Sequence, residues 1–500
     1  MPSPTPDRRA GTEMATQETG RTAGTPLRLP DPPAALLKRR VGVATALKFF
    51  GPGAIIASLT IGSGESILAS REGAVFGYTV LWAVVVGALA KGALVYASNR
   101  HITLTGEHPM TRLAKVLPGP RGWFPVLLAL ICLASFPGWA SGVTVALGDY
   151  LESLGAGNAT AYAVGALLFA ALLSWVGGYT VLEKVQVAIA GLMVVLVLVA
   201  VFAAQPDWLG VLGGLVPSGF EYEPFVADKY PDIAETSVWV ELAVFMGGLG
   251  GGMYDYIGYT GMLREKKWGM LGHREADAIG RELATLGRKD RIPLSAEPGD
   301  VANARAWSRA PLFDMLAAFL ALGVIAAAFM INGAAILGDR EQVPEGNDVL
   351  THQSQFLSAV APVFESFYVV AIVMVLFGTA YAVWEAYSWT MYESLSAVSE
   401  KVRARGQRGI RPYVYAWTGI GSLLMIASGA SFVSLITPAS ILGGVFACGI
   451  YGAGLLWVDR VNLPAPYRMS APLRAMVAVG SAFLTVCGVV AMLAYAEVIG

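Results

Sequence analysis

The chain has 500 residues, 55% of them apolar and 14% charged, with a formal net charge of −1. A soluble protein carries about a quarter charged residues, and a bilayer crossing takes about 20 apolar residues, so this composition describes a membrane-embedded chain with room for roughly ten or more crossings. A single-span receptor and an anchored enzyme are excluded, and so is the basic footprint of a nucleic-acid partner.

In chain order, residues 1–45 are rich in Pro, Thr, Ala and Arg and lack an apolar core of signal-peptide length, which predicts an uncleaved, disordered cytoplasmic tail. Apolar runs bounded by charge or Pro/Gly punctuation then predict eleven transmembrane helices, starting near Val43, Tyr78, Trp123, Ala159, Val185, Val238, Pro311, Pro362, Tyr413, Phe432 and Leu473. The fourth and fifth are parted only by Trp175 to Tyr179, and the ninth and tenth only by Ser428 to Ser431, so fusion of either pair would change the count. Charge supports eleven. With the N-terminus cytoplasmic, the inner segments hold 31 of the 35 Lys and Arg, and only Arg71, Lys91, Lys229 and Arg340 fall elsewhere. The loops at 205–236 and 338–356 are acidic, with Glu221, Glu223, Asp228, Asp232, Asp339, Glu341, Glu345 and Asp348. This positive-inside asymmetry puts the C-terminus outside. The cytoplasmic loop 262–311 is long and mixed in charge, and reads as a solvated, partly helical connection.

Two spans carry glycine interruptions. The first runs Gly51-Pro52-Gly53 to Gly62-Ser63-Gly64-Glu65, and the sixth runs Phe245 through Gly247, Gly248, Gly250, Gly251 and Gly252 to Met253-Tyr254-Asp255. Glycine costs a helix interior about 1 kcal/mol relative to alanine, and unwound backbone at membrane depth is tolerated only where it is buried or lines a polar cavity. Close helix packing also uses glycine, but packing does not account for Glu65 and Asp255, because an intramembrane carboxylate faces a cavity or a partner and marks an ion path. Breaks in the first and sixth spans occupy equivalent places in two five-helix halves of opposite orientation, the pattern of an inverted-repeat transporter. The halves cover residues 46–204 and 237–457, flank an extracytoplasmic loop at 205–236, and leave 458–500 as a loop and an eleventh helix.

These residues resemble the Nramp (natural resistance-associated macrophage protein) family of divalent metal transporters. That family's Gly-Pro-Gly is followed at the same interval by Asp-Pro-Gly-Asn, where Gly62-Ser63-Gly64-Glu65 stands here, and Met253-Tyr254-Asp255 takes the family's Met-Pro-His slot. Ile331-Asn332-Gly333 and the segment from Asp459 to Pro464 extend the similarity, which runs from about residue 45 to the C-terminus. The resemblance implies an all-α integral membrane protein with a LeuT-type 5+5 inverted repeat and broken helices 1 and 6. It implies a divalent cation, as substrate and not cofactor, held by Glu65, Asp255, the carbonyls of Leu59 and Gly250, and the Met253 thioether, with Gly62 standing where the family has Asp. Gly64, Gly251 and Gly252 are the expected helix-break glycines, and Tyr254, Asn332 and Glu385 the expected second-tier polar or gating residues.

The departures have chemical content, because carboxylate, carbonyl and water suit hard ions whereas thioether and imidazole suit softer ones. The expected cargo is therefore harder than the family's usual one, with Mn or Mg in view. The family's third-helix acids and ninth-helix arginine are missing from 123–147 and 413–430. Two carboxylates in one desolvated site repel, so protons and cation are expected to compete there without a dedicated relay. Lys91 is expected to snorkel to the cytoplasmic interface, and Glu241 and Asp314 to sit near helix ends in water. The four histidines, His101, His108, His273 and His352, are expected in exposed loops, and Cys132, Cys448 and Cys487 as packing residues in apolar runs. The eighth-helix aromatics Phe377, Tyr381, Trp384, Tyr387 and Trp389 read as packing. Two rival readings remain open at this stage: a LeuT-type carrier of an amine or amino acid, and a non-transporting sensor or passive channel. No HExxH, GxSxG or Walker motif supports an enzyme. Oligomeric state is not legible in the sequence.

Overall fold

A computed structural model describes residues 26–155, 157–177, 179–344, 349–358 and 363–498. The expected tail up to residue 25, the acidic Glu345 and Asp348, and Pro362 lie outside the described residues. Helices dominate, and among the described residues the one β-type pairing is a bridge between Leu27 and Leu294. Helices cover most of the expected spans, although the ninth starts at Glu400, well before Tyr413, and kinks at Gly406. We number them α1 (52–76), α2 (Leu81–Thr105), α3 (Trp123–Ser153), α4 (Ala159–Val176), α5 (Tyr179–Ala204), α6 (Val238–Gly248 and Met253–Met262), α7 (Arg309–Asn332), α8 (Val363–Ser396), α9 (Glu400–Ala427), α10 (Phe432–Asn462) and α11 (Ala471–Tyr495).

Among the described residues, seven stretches are long and apolar enough to cross a membrane by themselves: α2, α3, α4, the run Pro298–Arg340 that contains α7, Ser366–Ser396 within α8, α10 and α11. The protein is therefore a multi-pass membrane protein. A helix ends at each doubtful junction. Gly177 closes α4 in the left-handed region at φ 86°, and Gly429 turns the chain between α9 and α10 at φ 71°, a conformation that only glycine reaches cheaply. The starts of α4 and α10 are capped: Asn158 Oδ1 accepts from Ala161 N at 3.0 Å, and Ser431 Oγ from Ser434 N at 3.4 Å.

The first helix differs from expectation. It begins at Pro52, not near Val43, and it is not severed. Pro52–Thr60 is α-helical, Ile61–Leu68 is a π-helical stretch, and Ala69–Phe76 is α-helical again. A π-bulge accommodates an extra residue while the helix stays wound, and such bulges gather at functional sites. The glycines of α1 serve close contact instead. A Cβ on Gly64 would lie 2.2 Å from the Gly248 carbonyl oxygen, and one on Gly73 would lie 2.0 Å from that of Met330. The α1 π stretch thus packs directly on α6, α7 and α8.

From residue 26 onward the expected tail is ordered. Leu27 N donates to Pro293 O at 2.6 Å, Ser295 N donates to Leu27 O at 2.9 Å, and Leu27, Leu29 and Leu36 are buried. They join Trp268, Met270, Ile279, Leu283, Ile292 and Trp307 in a second apolar cluster. The 262–311 segment, with helices Ala276–Thr285 and Pro298–Trp307, therefore has a core of its own and is more than a solvated loop.

Candidate functional site

The sixth helix is broken as its sequence predicts. Val238–Gly248 stops, Leu249 is extended at φ −60°, ψ 113°, Gly250 and Gly251 take φ 69° and 81°, and Gly252 is extended before the helix restarts at Met253. Two of these positions need glycine for their backbone angles. The break releases amides and carbonyls in the middle of the molecule, and each has to find a partner there.

Both expected carboxylates supply partners. Glu65, fully buried in the α1 π stretch, accepts from Gly250 N through Oε1 at 2.7 Å, while its Oε2 has no partner. Asp255, 3% exposed, accepts from Gly252 N through Oδ2 at 3.1 Å and so caps the second half of α6. The two acids therefore grip the same short loop two residues apart, and neither is open to solvent. Met253 and Tyr254 are buried beside them. Thr390 Oγ1 of α8 donates to Tyr254 O at 2.6 Å and accepts from Gly258 N at 2.9 Å, which fixes the restarted half against α8.

The carbonyls meet an unexpected group. Lys91 of α2 does not snorkel; its side chain is fully buried. Its Nζ donates to Met246 O at 2.5 Å, Gly251 O at 2.6 Å and Leu249 O at 2.9 Å, with Gly247 O at 3.3 Å. The C-terminal end of the first half-helix carries partial negative charge, and a fixed ammonium sits on it. Gly87, one turn before Lys91, makes the approach: a Cβ there would lie 2.7 Å from Leu249 Cδ2. The remaining carbonyl expected to bind an ion, that of Gly250, accepts from Tyr256 Oη at 2.8 Å. Leu59 lies in the wound part of α1, so no unwinding frees its carbonyl.

Several other expectations change. Asn332 is buried, but its Nδ2 donates to Val197 O at 3.2 Å, toward α5 and away from the break. Glu385 belongs to a different place, a cavity of about 600 Å³ lined by Ser174, Glu265, Tyr381, Arg405 and Arg411, where it accepts from Trp389 Nε1 at 3.0 Å. Glu241 is not in water. It is buried and forms an ion pair with Arg71 at 2.9 Å, joining α6 to α1. Beside that pair Glu72 is buried with neither carboxylate oxygen partnered. Asp314 is likewise buried, and its Oδ1 accepts from Gly51 N at 2.8 Å and Gly53 N at 3.0 Å, capping α1, while Tyr259 donates to Oδ2.

His101 and His108 are buried, not loop-exposed. His108 Nδ1 accepts from Met110 N at 3.1 Å, which leaves Nε2 to donate to Ile257 O at 3.1 Å. Burial in this setting pushes its pKa down to about 4. Cys132, Cys448 and Cys487 are free and buried, as expected. The α8 aromatics pack: Tyr387 stacks on Phe136 of α3 with ring centroids 4.0 Å apart.

Among the described residues no cluster of three or more His, Cys, Asp or Glu is arranged to hold a metal.

Comparison with known proteins agrees with this architecture. Residues 53–250 match the family model described as natural resistance-associated macrophage protein-like, Nramp. No curated protein matches the chain by sequence. Among solved structures, a mutant of the Eremococcus coleocola manganese transporter superposes with a TM-score of 0.60 at 13% identity, over 92% of this chain and 88% of that one. The same transporter in complex with an aromatic bis-isothiourea substituted compound gives 0.59 at 14% identity, over 94% and 90%. At such identities the likeness establishes the shared fold. The match covers residues 53–250, which hold α1 to α5 and the first half of α6, and over that stretch the chain is similar to the Nramp family.

Proposed function

We propose that this protein carries a divalent metal cation across the membrane, bound between α1 and the break in α6. The observation that carries the reading is the convergence of Glu65 and Asp255 on the Gly250 and Gly252 amides of one buried loop, with Glu65 Oε2 left without a partner. An unpartnered buried carboxylate oxygen is costly unless something positive visits it. The family match and the fold of a solved manganese transporter support the same cargo class. Carboxylate-rich coordination favours hard ions, Mn²⁺ or Mg²⁺, over Cd²⁺.

The cargo meets the acids in a closed arrangement, since neither side chain reaches solvent. Release and entry require α1 and α6 to separate at one end or the other, the rocking of one bundle against the rest. Arg71 and Glu241 tie the two helices at one end, and Asp314 holds the start of α1 at the other. Basic inner loops and acidic outer loops orient the chain with its N-terminus cytoplasmic and its C-terminus outside, so the Arg71 end is outer. Protons compete with the cation for the same two carboxylates, which makes proton coupling part of the proposal.

The test is cation flux into liposomes loaded with the purified protein. Mn²⁺ or Mg²⁺ uptake that the double substitution Glu65→Gln, Asp255→Asn abolishes is the expected result. Uptake unaffected by that substitution, or confined to soft metals, refutes the reading. Inhibition by organic amines with no response to any divalent ion would replace it with an amine carrier.

A further inference from the structure

The α6 break presents the feature by which broken-helix transporters hold small cations, released carbonyls at the C-terminal end of a half-helix. Here those oxygens are already occupied. Lys91 Nζ has four carbonyl oxygens within 3.3 Å, those of Met246, Gly247, Leu249 and Gly251. An ammonium has three protons, so four oxygens gathered around one nitrogen resemble the coordination of an ion more than a set of separate hydrogen bonds. The side chain is sealed in. Besides the break, its charge faces Glu65 of α1, Asp255 of α6, and the thiols of Cys448 in α10 and Cys487 in α11. Helix α2 is pressed into place from behind, since a Cβ on Gly480 of α11 would meet Ala90 Cβ at 2.9 Å.

We propose that Lys91 is a tethered internal cation: its ammonium fills the carbonyl cradle of broken α6, so the protein needs no dissolved monovalent ion to hold that break, and removing the side chain creates a binding site for one. The residue acts by positioning the break and by setting the charge that the cargo site sees. Two carboxylates and one fixed ammonium leave one net negative charge when both acids are ionised. The inference is independent of the cargo, so failure of metal uptake leaves it standing, and its own failure leaves the metal reading standing.

The experiment is thermal unfolding of the full-length protein in lipid nanodiscs at constant ionic strength. Wild type is expected to give the same Tm in sodium, potassium and choline chloride. Lys91→Ala, which leaves a void three carbons and a nitrogen long, is expected to lose several degrees in choline and to regain most of that loss, saturably, with n-propylammonium or Na⁺. Lys91→Met fills the same void without charge, and is expected to show the loss without rescue by n-propylammonium. A saturable Na⁺ or K⁺ effect on wild type would overturn the proposal. So would a Lys91→Met protein as stable as wild type, or a folded Lys91→Ala protein indifferent to every cation. Should neither variant fold, the wild-type comparison decides by itself: ion independence upholds the proposal and a saturable ion requirement ends it.

Discussion

Gly64→Ala tests the contact on which the whole site rests. The added Cβ would lie 2.2 Å from the Gly248 carbonyl oxygen and 2.5 Å from its carbon, against an ordinary van der Waals separation of about 3.5 Å. Both groups are backbone, so neither rotates away, and α1 and α6 must part by roughly 1 Å. Overpacking of this kind costs about 1–3 kcal/mol. The parting also stretches the Glu65 to Gly250 hydrogen bond, now 2.7 Å, and a bond to a charged group contributes about 1.5–3 kcal/mol. A loss on the order of 3 kcal/mol or more follows, read as a lower thermal midpoint together with weaker Mn²⁺ binding by calorimetry. Gly280→Ala is the control. It lies in the helix Ala276–Thr285, with nothing within 4 Å of its Cβ position, and it should gain up to about 1 kcal/mol from helix propensity. If Gly64→Ala matches wild type in both measurements, α1 and α6 do not touch here and the site geometry is wrong.

Two further outcomes follow from buried charge. Glu241→Gln removes a carboxylate that pairs at 2.9 Å with Arg71, whose side chain is 5% exposed; breaking such a pair costs up to about 3–5 kcal/mol, and chemical denaturation should show a midpoint shift that the additional change Arg71→Met largely restores. His108 has its pKa pushed down to about 4 by burial, whereas an unfolded histidine titrates near 6.5. Between those values the unfolded chain binds the extra proton, so stability rises with pH from about 4 to about 6.5 and is flat above, by a total on the order of 3 kcal/mol. Stability measured against pH for wild type and His108→Gln should differ in slope within that window, and parallel curves would contradict the assignment.

The sequence made the helix layout legible because a membrane span is a strong signal: long apolar runs, charge at their ends, and glycine at the turns at Gly177 and Gly429. The break in α6 was legible for the same reason, as Gly250 and Gly251 require left-handed angles. The supposed break in α1 was not, because Gly62 and Gly64 have another use that the same letters encode. They let α8 and α6 approach a wound helix, with Thr379 Oγ1 and the Gly248 carbonyl filling the space where side chains would be. Lys91 was misread for a different reason. A lone lysine in a span can extend to the interface or turn inward, and the deciding residue is Gly87 one turn away, which brings α2 against the break. Glu241 and Asp314 were assigned to water from their places near helix ends, yet each answers a group far away in sequence, Arg71 and the Gly51 and Gly53 amides. Such long-range partners leave no local pattern. The apolar docking of Leu27, Leu29 and Leu36 on the 262–311 segment is of the same kind.

These corrections converge on one point. Because α1 stays wound, it releases no carbonyls at Leu59 and contributes only the Glu65 carboxylate. The carbonyls that α6 does release are taken, those of Met246, Gly247, Leu249 and Gly251 by Lys91 and that of Gly250 by Tyr256. Asp255 and Glu65 each spend one oxygen on an amide of the same loop. What the described residues leave at the break is a buried carboxylate oxygen without a partner, Glu65 Oε2. Leaving a charged acceptor unsatisfied is the most expensive choice a folded chain can make at that depth. A positively charged visitor would cancel that cost, which is why the proposed function sets the cargo against Glu65, with Asp255 in the supporting part.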